Sequence, residues 1–357
     1  MTDHAVPDTS LDDLIAAVVG TDADPRATDA ARAAAARWET RAKPPGSLGR
    51  LEDVAVRVAA ITGRCPPPPP ERPAAVVFAG DHGVVADGAS AWPSDITALM
   101  ARAMAAGQAA VNAFAATVGA DVSVVDVGVA ADLSDVAEIV DAKVRAGTAS
   151  LARGPAMTPD EAATAIGVGA AAARAMIEDG ADLLVGGDMG IGNTTPSTAL
   201  IAYFAGVPAA AIVGPGAGSD DDGIARKRDL IASALGRLGA DTPPIDVLAE
   251  VGGLVIAALA GFYLAAAAAR VPVVIDGVIA GAALCVAEAL APGTASRAIA
   301  GHRSTEPAAT AALDHLGLDP LLDLDLRLGE GTGAVLAVPV IQAACRALRD
   351  MADLPGS

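Results

Sequence analysis

The sequence predicts an α/β protein: a Rossmann-like parallel sheet flanked by helices, with a smaller helical domain built from the N- and C-terminal segments. Two observations lead there. From Ala74 onward, short continuous apolar runs alternate with helical stretches, the pattern of βαβ units around a sheet buried on both faces. Segments rich in glycine and in chemically unusual side chains fall at the ends of those runs, where open α/β sheets place their ligand loops. At 357 residues the chain also exceeds the usual size of one compact core. We therefore expect an α/β nucleotide- and base-binding domain over residues 70–316, and a helical domain from 1–65 with 317–357.

The elements follow in chain order. An acidic amphipathic stretch from Leu11 to Val19 reads as a helix, and Asp24-Pro25 is a cap and first-turn pair opening an Ala-rich helix to Thr40. Pro44-Pro45 stops that helix, and Ser47 can cap the next, which continues to Ile61. Pro66 to Pro70 form a stiff connector. Strands are expected at Ala74–Ala79, Val122–Val129, Ala181–Gly186, Ala210–Val213 and Val271–Ile279, with another near Arg297–Gly301. Helices are expected at Asp95–Val118, Pro159–Asp179, Thr194–Phe204, Asp222–Leu238, Leu254–Ala269, Thr305–Leu316 and Gly333–Arg349.

Composition narrows the function. A net charge of -19 excludes a sequence-independent grip on nucleic acid or an anionic membrane, because phosphate contacts need clustered Lys and Arg. The mean hydropathy of +0.46 owes much to alanine. The longest apolar run, Leu254 to Ala269, is too short and too weakly apolar to span a bilayer. The chain opens with Asp3, Asp8, Asp12 and Asp13 and has no basic segment before an apolar one, so no secretory signal is expected and the reading is cytoplasmic. Cys65, Cys285 and Cys345 lack CxxC spacing, which fits a reducing compartment and offers no zinc site.

The segments after the expected strands carry the chemistry. Gly186 to Thr195 combines glycine-freed N–H groups, the Asn193 amide and the hydroxyls of Thr194 and Thr195 ahead of a helix, which suits an anion at a helix N-terminus. It is neither a phosphate-binding Gly-Lys-Ser/Thr loop nor a dinucleotide fingerprint, and a tight turn capped by Thr194 explains it about as well. Gly301 to Pro307 sets His302, Arg303, Ser304 and Thr305 before another helix, either an anion clamp or a capping box ending in Glu306. Gly214 to Gly218 lies upstream of Lys227, one of only three lysines: a phosphate partner, or a solvated helix face beside Arg226 and Arg228. His82 follows Asp81 without a second spaced histidine, so a pocket-lining or structural role outweighs a metal site. Glu330, framed by Gly329 and Gly331, is a carboxylate presented rather than packed, although a lone Gly-Glu-Gly is by itself more often a turn. No nucleophile elbow or activated cysteine occurs. What remains is positioning of a phosphorylated substrate and one proton transfer by a carboxylate, chiefly Glu330 or Asp188.

Taken together, Lys43-Pro44-Pro45-Gly46-Ser47-Leu48-Gly49-Arg50-Leu51-Glu52, Asp81-His82-Gly83-Val84, Gly190 to Pro196, Glu250-Val251-Gly252-Gly253, Asp276-Gly277 and Leu328 to Ala334 resemble the nicotinate-nucleotide:dimethylbenzimidazole phosphoribosyltransferase family. The match runs in order along nearly the whole chain. Each motif is weak alone, and the ensemble is specific. The resemblance implies that a benzimidazole nitrogen attacks the anomeric carbon of nicotinate mononucleotide, releasing nicotinate and giving the α-ribazole 5'-phosphate of the cobalamin lower ligand. Glu330 matches the family's general base. Gly190, Gly216, Lys227 and Ser304 match positions contacting phosphate and ribose. Asn193, Thr194, Gly331, Thr332 and His82 complete the expected substrate-binding set, with Asp188 standing where the family has glutamate. Trp92 and Met100 stand where the family has polar residues near the acceptor, so the preferred base can be more apolar or differently substituted. No metal or cofactor is implied, and the resemblance implies a homodimer.

Two alternatives carry weight. A diphosphate-dependent phosphoribosyltransferase would need two adjacent acids after the apolar run Val273-Val274-Ile275, where only Asp276 is present. A non-catalytic nucleotide-binding regulator would not need Glu330 in an intact glycine frame.

Overall fold

The computed structural model describes residues 10–355 apart from Ala23; the acidic opening with Asp3 and Asp8 lies outside them. Six strands, β1 (Pro73–Gly80), β2 (Asp121–Gly128), β3 (Ile139–Asp141), β4 (Leu183–Met189), β5 (Val273–Ile275) and β6 (Ala298–Ala300), form one parallel sheet in the order β3-β2-β1-β4-β5-β6. The order reverses between β1 and β4, and at such a switch point the loops leaving neighbouring strands part to open a crevice at the carboxyl edge.

The helices are α1 (Leu11–Asp22), α2 (Pro25–Thr40), α3 (Arg50–Thr62), α4 (Asp95–Ala105), α5 (Ala110–Val118), α6 (Pro159–Glu178) and α7 (Thr194–Ala205), followed by α8 (Ala209–Ile212), α9 (Asp221–Leu235), α10 (Pro244–Val251), α11 (Leu254–Ala268), α12 (Val278–Leu290), α13 (Pro307–Leu316) and α14 (Thr332–Asp350). Two starts follow directly from sequence chemistry. Asp24 accepts from the Arg26 N–H at 2.9 Å with Pro25 in the first turn. Thr158 and Glu161 form a reciprocal capping box ahead of α6.

Alternation along the strands divides the core. Val76 and Phe78 of β1 and Leu184 of β4 join a cluster with α6, α11 and α12. Ala75, Val77 and Ala79, with Leu183 and Val185, join one formed by α2, α3, α4, α5 and α14. The terminal helices α2, α3 and α14 thus cover one face of the sheet, with α3 packed on both α2 and α14. Helix α11 is buried all round from Leu254 to Ala267, which accounts for its apolar run. Among the described residues no helix is long and apolar enough to cross a membrane.

Helices α6 and α11 meet backbone to backbone. A Cβ on Gly169 would lie 1.7 Å from the Ala258 carbonyl oxygen, and one on Gly261 would lie 1.9 Å from that of Ile166. Alanine at a helical glycine ordinarily gains about 1 kcal/mol of helix propensity. Here forced separation of two backbones reverses the sign, and we expect Gly169→Ala to destabilise by about 3 kcal/mol, read as a lower denaturant midpoint at unchanged m-value.

Several expected elements differ. Ala210–Val213 is not a strand: Ala209–Ile212 is a short helix, since after Pro208 three alanines favour helix and a four-residue apolar run has no informative period. The expected helix Asp95–Val118 is two helices, broken where Gly107 turns at φ 74°. The run Val271–Ile279 is strand only to Ile275; Gly277 then precedes α12, which the strand-like composition concealed. The edge strand β3 and helix α10 carried too few periodic residues to be seen. Ser47 does not cap α3, whose start is preceded by Gly49 at φ 54°.

Candidate active site

The segment Gly329-Glu330-Gly331 lies over the carboxyl edge of the sheet in three successive left-handed residues, at φ 86°, 63° and 88°. The two glycines adopt this freely, whereas for Glu330 it costs roughly 1–2 kcal/mol. The conformation is held from below and from the side. Gly187 of β4 has no side chain because the Glu330 carbonyl oxygen lies 2.2 Å from where its Cβ would be. Asp276, at the end of β5, accepts from the N–H groups of Gly331 at 3.3 Å and Ala334 at 3.0 Å. Thr332 donates its hydroxyl to the Gly329 carbonyl at 2.7 Å.

Glu330 is 4% exposed, so the expectation of a carboxylate presented rather than packed needs correction. It lines a cavity, yet its Oε2 also accepts from the Val111 N–H at 3.3 Å, in the first turn of α5. Burial pushes its pKa above the ordinary glutamate value; the Val111 bond opposes the rise and the nearby Asp276 charge adds to it. Asp188, at the end of β4, is raised further, to about 8, by burial and by the charges of Asp276 and Glu330, against the lowering effect of Asn193, whose Nδ2 donates to Oδ2 at 2.8 Å. A value of about 8 favours the protonated form of Asp188 at pH 7.

The cavity has a volume of about 410 Å³. Of the residues expected from sequence, Glu330, Asp188, Gly190, Asn193, Thr194, Gly216, Lys227, Ser304, Trp92 and Met100 all line it. Part of the lining carries charge: Lys227 and Arg327, with Glu306 beside them. Lys227 is buried rather than a solvated face; burial lowers its pKa, the Glu306 charge opposes that, and its Nζ donates to the Pro215 carbonyl at 3.1 Å. A Cβ on Gly216 would lie 2.8 Å from the Thr194 hydroxyl and 3.0 Å from Lys227 Nζ, so glycine is what lets loop, helix α7 and lysine converge. Asn193 precedes α7 without capping it; the Thr195 N–H bonds the Gly192 carbonyl at 3.2 Å, the Ser197 N–H bonds the Asn193 carbonyl at 3.1 Å and residue 196 is proline, so the Thr194 N–H and hydroxyl are what this helix start offers the cavity. The apolar part of the lining is Trp92, Ile96, Met100, Met189 and Leu328, and Trp92 donates its indole N–H to the Ala217 carbonyl at 3.1 Å beside the Gly216 loop.

Three expected residues are elsewhere. Gly331 and Thr332 do not line the cavity but start α14. His82 lies behind the wall: its ring fills the space beside Gly190 and Gly253, both nitrogens lack partners, and burial pushes its pKa down to about 4, so it is a neutral packing group. The sequence reading also missed contributors. Glu306 is no capping-box member; its Oε1 accepts from the Gly216 N–H at 2.8 Å and so ties two loops together. Arg327 donates to the Gly216 carbonyl at 3.3 Å from an acidic Leu-rich segment that gave no signal. Gly214 to Gly218 follows a helix, not a strand, and reaches the cavity through these two contacts.

A doubly wound parallel sheet whose crevice is lined by Lys227 and Arg327, by apolar side chains and by the buried carboxyls of Glu330 and Asp188 has the make-up of a group-transfer enzyme. A family model described as phosphoribosyltransferase matches residues 23–356. A Salinispora tropica protein named nicotinate-nucleotide–dimethylbenzimidazole phosphoribosyltransferase is 50% identical over 338 residues, covering 90% of this chain and 93% of the relative. A Thermus thermophilus protein of the same name is 50% identical over 312 residues, covering 87% and 93%. The crystal structure of CobT from Thermus thermophilus superposes with a TM-score of 0.89 at 49% identity, covering 91% of this chain and 97% of that one. The chain belongs to the nicotinate-nucleotide–dimethylbenzimidazole phosphoribosyltransferase family.

Proposed function

We propose that this chain transfers the phosphoribosyl group of nicotinate mononucleotide to 5,6-dimethylbenzimidazole or a related base, with Glu330 as the general base. The observation that carries the assignment is the mixed lining of one cavity, which brings Lys227, Thr194, Gly216 and Ser304 together with the apolar Ile96, Met100 and Trp92 and the Glu330 carboxyl. The nucleotide phosphate lies against Thr194, Gly216, Lys227 and Ser304, with Arg327 alongside. The flat acceptor lies between Trp92, Met100 and Ile96. Its ring nitrogen forms a bond to the anomeric carbon as the bond to nicotinate breaks, and its N–H proton passes to Glu330. The leaving pyridinium already carries positive charge, so it departs as nicotinate without needing a proton. In-line attack inverts the linkage from β to α.

Asp188, in the protonated form favoured at pH 7, adds no second negative charge beside the acceptor and can donate a hydrogen bond through its proton. The raised Glu330 pKa fixes the sign of the pH response: only the ionised form accepts a proton, so kcat falls as pH drops through a value above the ordinary 4.5. A pH profile of kcat reads that limb directly. The function is tested by incubating the protein with nicotinate mononucleotide and measuring nicotinate by chromatography. Release that requires dimethylbenzimidazole supports it, and acceptor-independent release would mark a hydrolase.

We also infer a cytoplasmic homodimer that makes the nucleotide of the cobalamin lower ligand. Trp92, Leu99, Leu324 and Leu328 are large apolar side chains left exposed, which supports a partner surface. Light scattering of the purified protein gives the mass. The division into residues 70–316 and a helical part from 1–65 with 317–357 is supported by the mutual packing of α2, α3 and α14, while α1 packs on α11 of the sheet part.

A further inference from the structure

Glu330 is a non-glycine residue in a left-handed conformation, and its neighbours supply no side-chain cap for the helix that follows. Gly331, which precedes α14, has no side chain to cap with; the Thr332 N–H bonds the Gly329 carbonyl and the Val335 N–H the Gly331 carbonyl. The Ala334 N–H and the Gly331 N–H are instead met by a side chain from a different element. Asp276 Oδ1 accepts from the Ala334 N–H at 3.0 Å and Oδ2 from the Gly331 N–H at 3.3 Å. His302 Nε2 lies 3.3 Å from the same Oδ1, and its ring occupies the space beside Gly333, 2.0 Å from where a Cβ would be. Asp276 is 3% exposed and, unlike Glu330 and Asp188, does not line the cavity. Its contacts are to the loop and to His302, not to the place where substrate would lie.

We propose that Asp276 is a positioning residue: by capping α14 from the end of β5 it fixes the 329–331 segment so that the Glu330 carboxylate meets the acceptor. This rests on Glu330 being the base, as argued above. A carboxylate suits the task because both oxygens accept, and three donors converge on it. An amide of the same size accepts through one oxygen only and would turn its NH2 toward an N–H donor, leaving a buried donor unmet. The loop, released on one side, would let Glu330 wander from the geometry that proton transfer requires, and misplacement of about 1 Å can cost on the order of a hundredfold in rate.

The test is Asp276→Asn, read two ways on the full-length enzyme. Steady-state kinetics should give kcat lowered on the order of thirtyfold, within the range that such misplacement allows, while KM for nicotinate mononucleotide stays within about twofold. Amide hydrogen exchange should speed up in a peptide spanning residues 329–335 and stay unchanged in β1. Unchanged exchange in that peptide overturns the proposal, as does unchanged kcat, or a rise in KM matching the fall in kcat, which would make Asp276 a substrate contact. If the wild-type protein does not turn over the two substrates, the functional reading fails by itself, while the exchange comparison still decides whether Asp276 holds the loop. Should the amide prevent folding, Asp276→Ser keeps one acceptor without a second N–H and is read in the same way.

Discussion

Glu330→Gln is expected to lower kcat about 10³-fold, in the middle of the range for loss of a general base, and to leave the affinity for nicotinate mononucleotide within about twofold. The side chains are nearly the same size, and the amide oxygen can still accept from the Val111 N–H, so the segment keeps its place. What disappears is a group able to take the acceptor's proton. Donor binding is expected to be preserved because the proposed phosphate contacts Lys227, Gly216 and Ser304 are left unchanged. Isothermal calorimetry with the nucleotide, beside steady-state rates, separates the two effects; equal losses in both would make Glu330 a donor contact. Stability should move the opposite way to activity. A carboxyl whose pKa is raised on folding binds more protons folded than unfolded, so it becomes less favourable to the fold as pH rises through that window. Gln has no such dependence, and the variant should melt no lower than the parent at pH 8.

Gly187→Ala is expected to be the most damaging single methyl group near the site. The added Cβ would lie 2.2 Å from the Glu330 oxygen, 2.5 Å from its carbonyl carbon and 2.9 Å from the Gly331 nitrogen. All three are backbone atoms, so no rotamer change relieves the contact. Either β4 or the 329–331 segment must shift. The segment is the more movable, since it is a loop while β4 at Gly187 is paired with Val77 of β1. A shift of about 1 Å predicts a fall in kcat on the order of a hundredfold, together with a destabilisation of about 2 kcal/mol from overpacking. A thermal melt and a kcat determination on one preparation check both. Full activity would mean that the position of Glu330 is not set from below.

How much of this was legible beforehand depended on distance along the chain. Asp188, Gly190, Asn193 and Thr194 lie within one strand-loop-helix unit, and their proximity follows from local chemistry alone. The alternation of strands and helices likewise showed that loops following β1, β4, β5 and β6 would share an edge, and they do; the fifth expected member, Gly214 to Gly218, follows helix α8 instead of a strand. What was not legible required knowing which distant backbone touches which. Glu306 looked like a local cap and instead bonds the Gly216 N–H, 90 residues away. Asp276 looked like the end of a strand and caps a helix 58 residues later. His82 looked like part of the site and is packed behind Gly190, because a neutral imidazole fills a core gap as readily as it meets a ligand. Gly187 carried no sign of why it must be glycine until the Glu330 carbonyl was seen against it. Burial of Glu330 was misjudged for the same reason: flanking glycines describe the chain's freedom, not what packs over it.

The central claim is that one cavity brings a nicotinate nucleotide and a flat azole together for a single inverting displacement. It is tested most directly by incubating the protein with nicotinate mononucleotide and 5,6-dimethylbenzimidazole and assigning the anomeric configuration of the nucleotide product by NMR. The predicted result is one α-linked ribazole phosphate formed for each nicotinate released. A β-linked product, or no product from this pair but turnover with a diphosphate sugar, would contradict it.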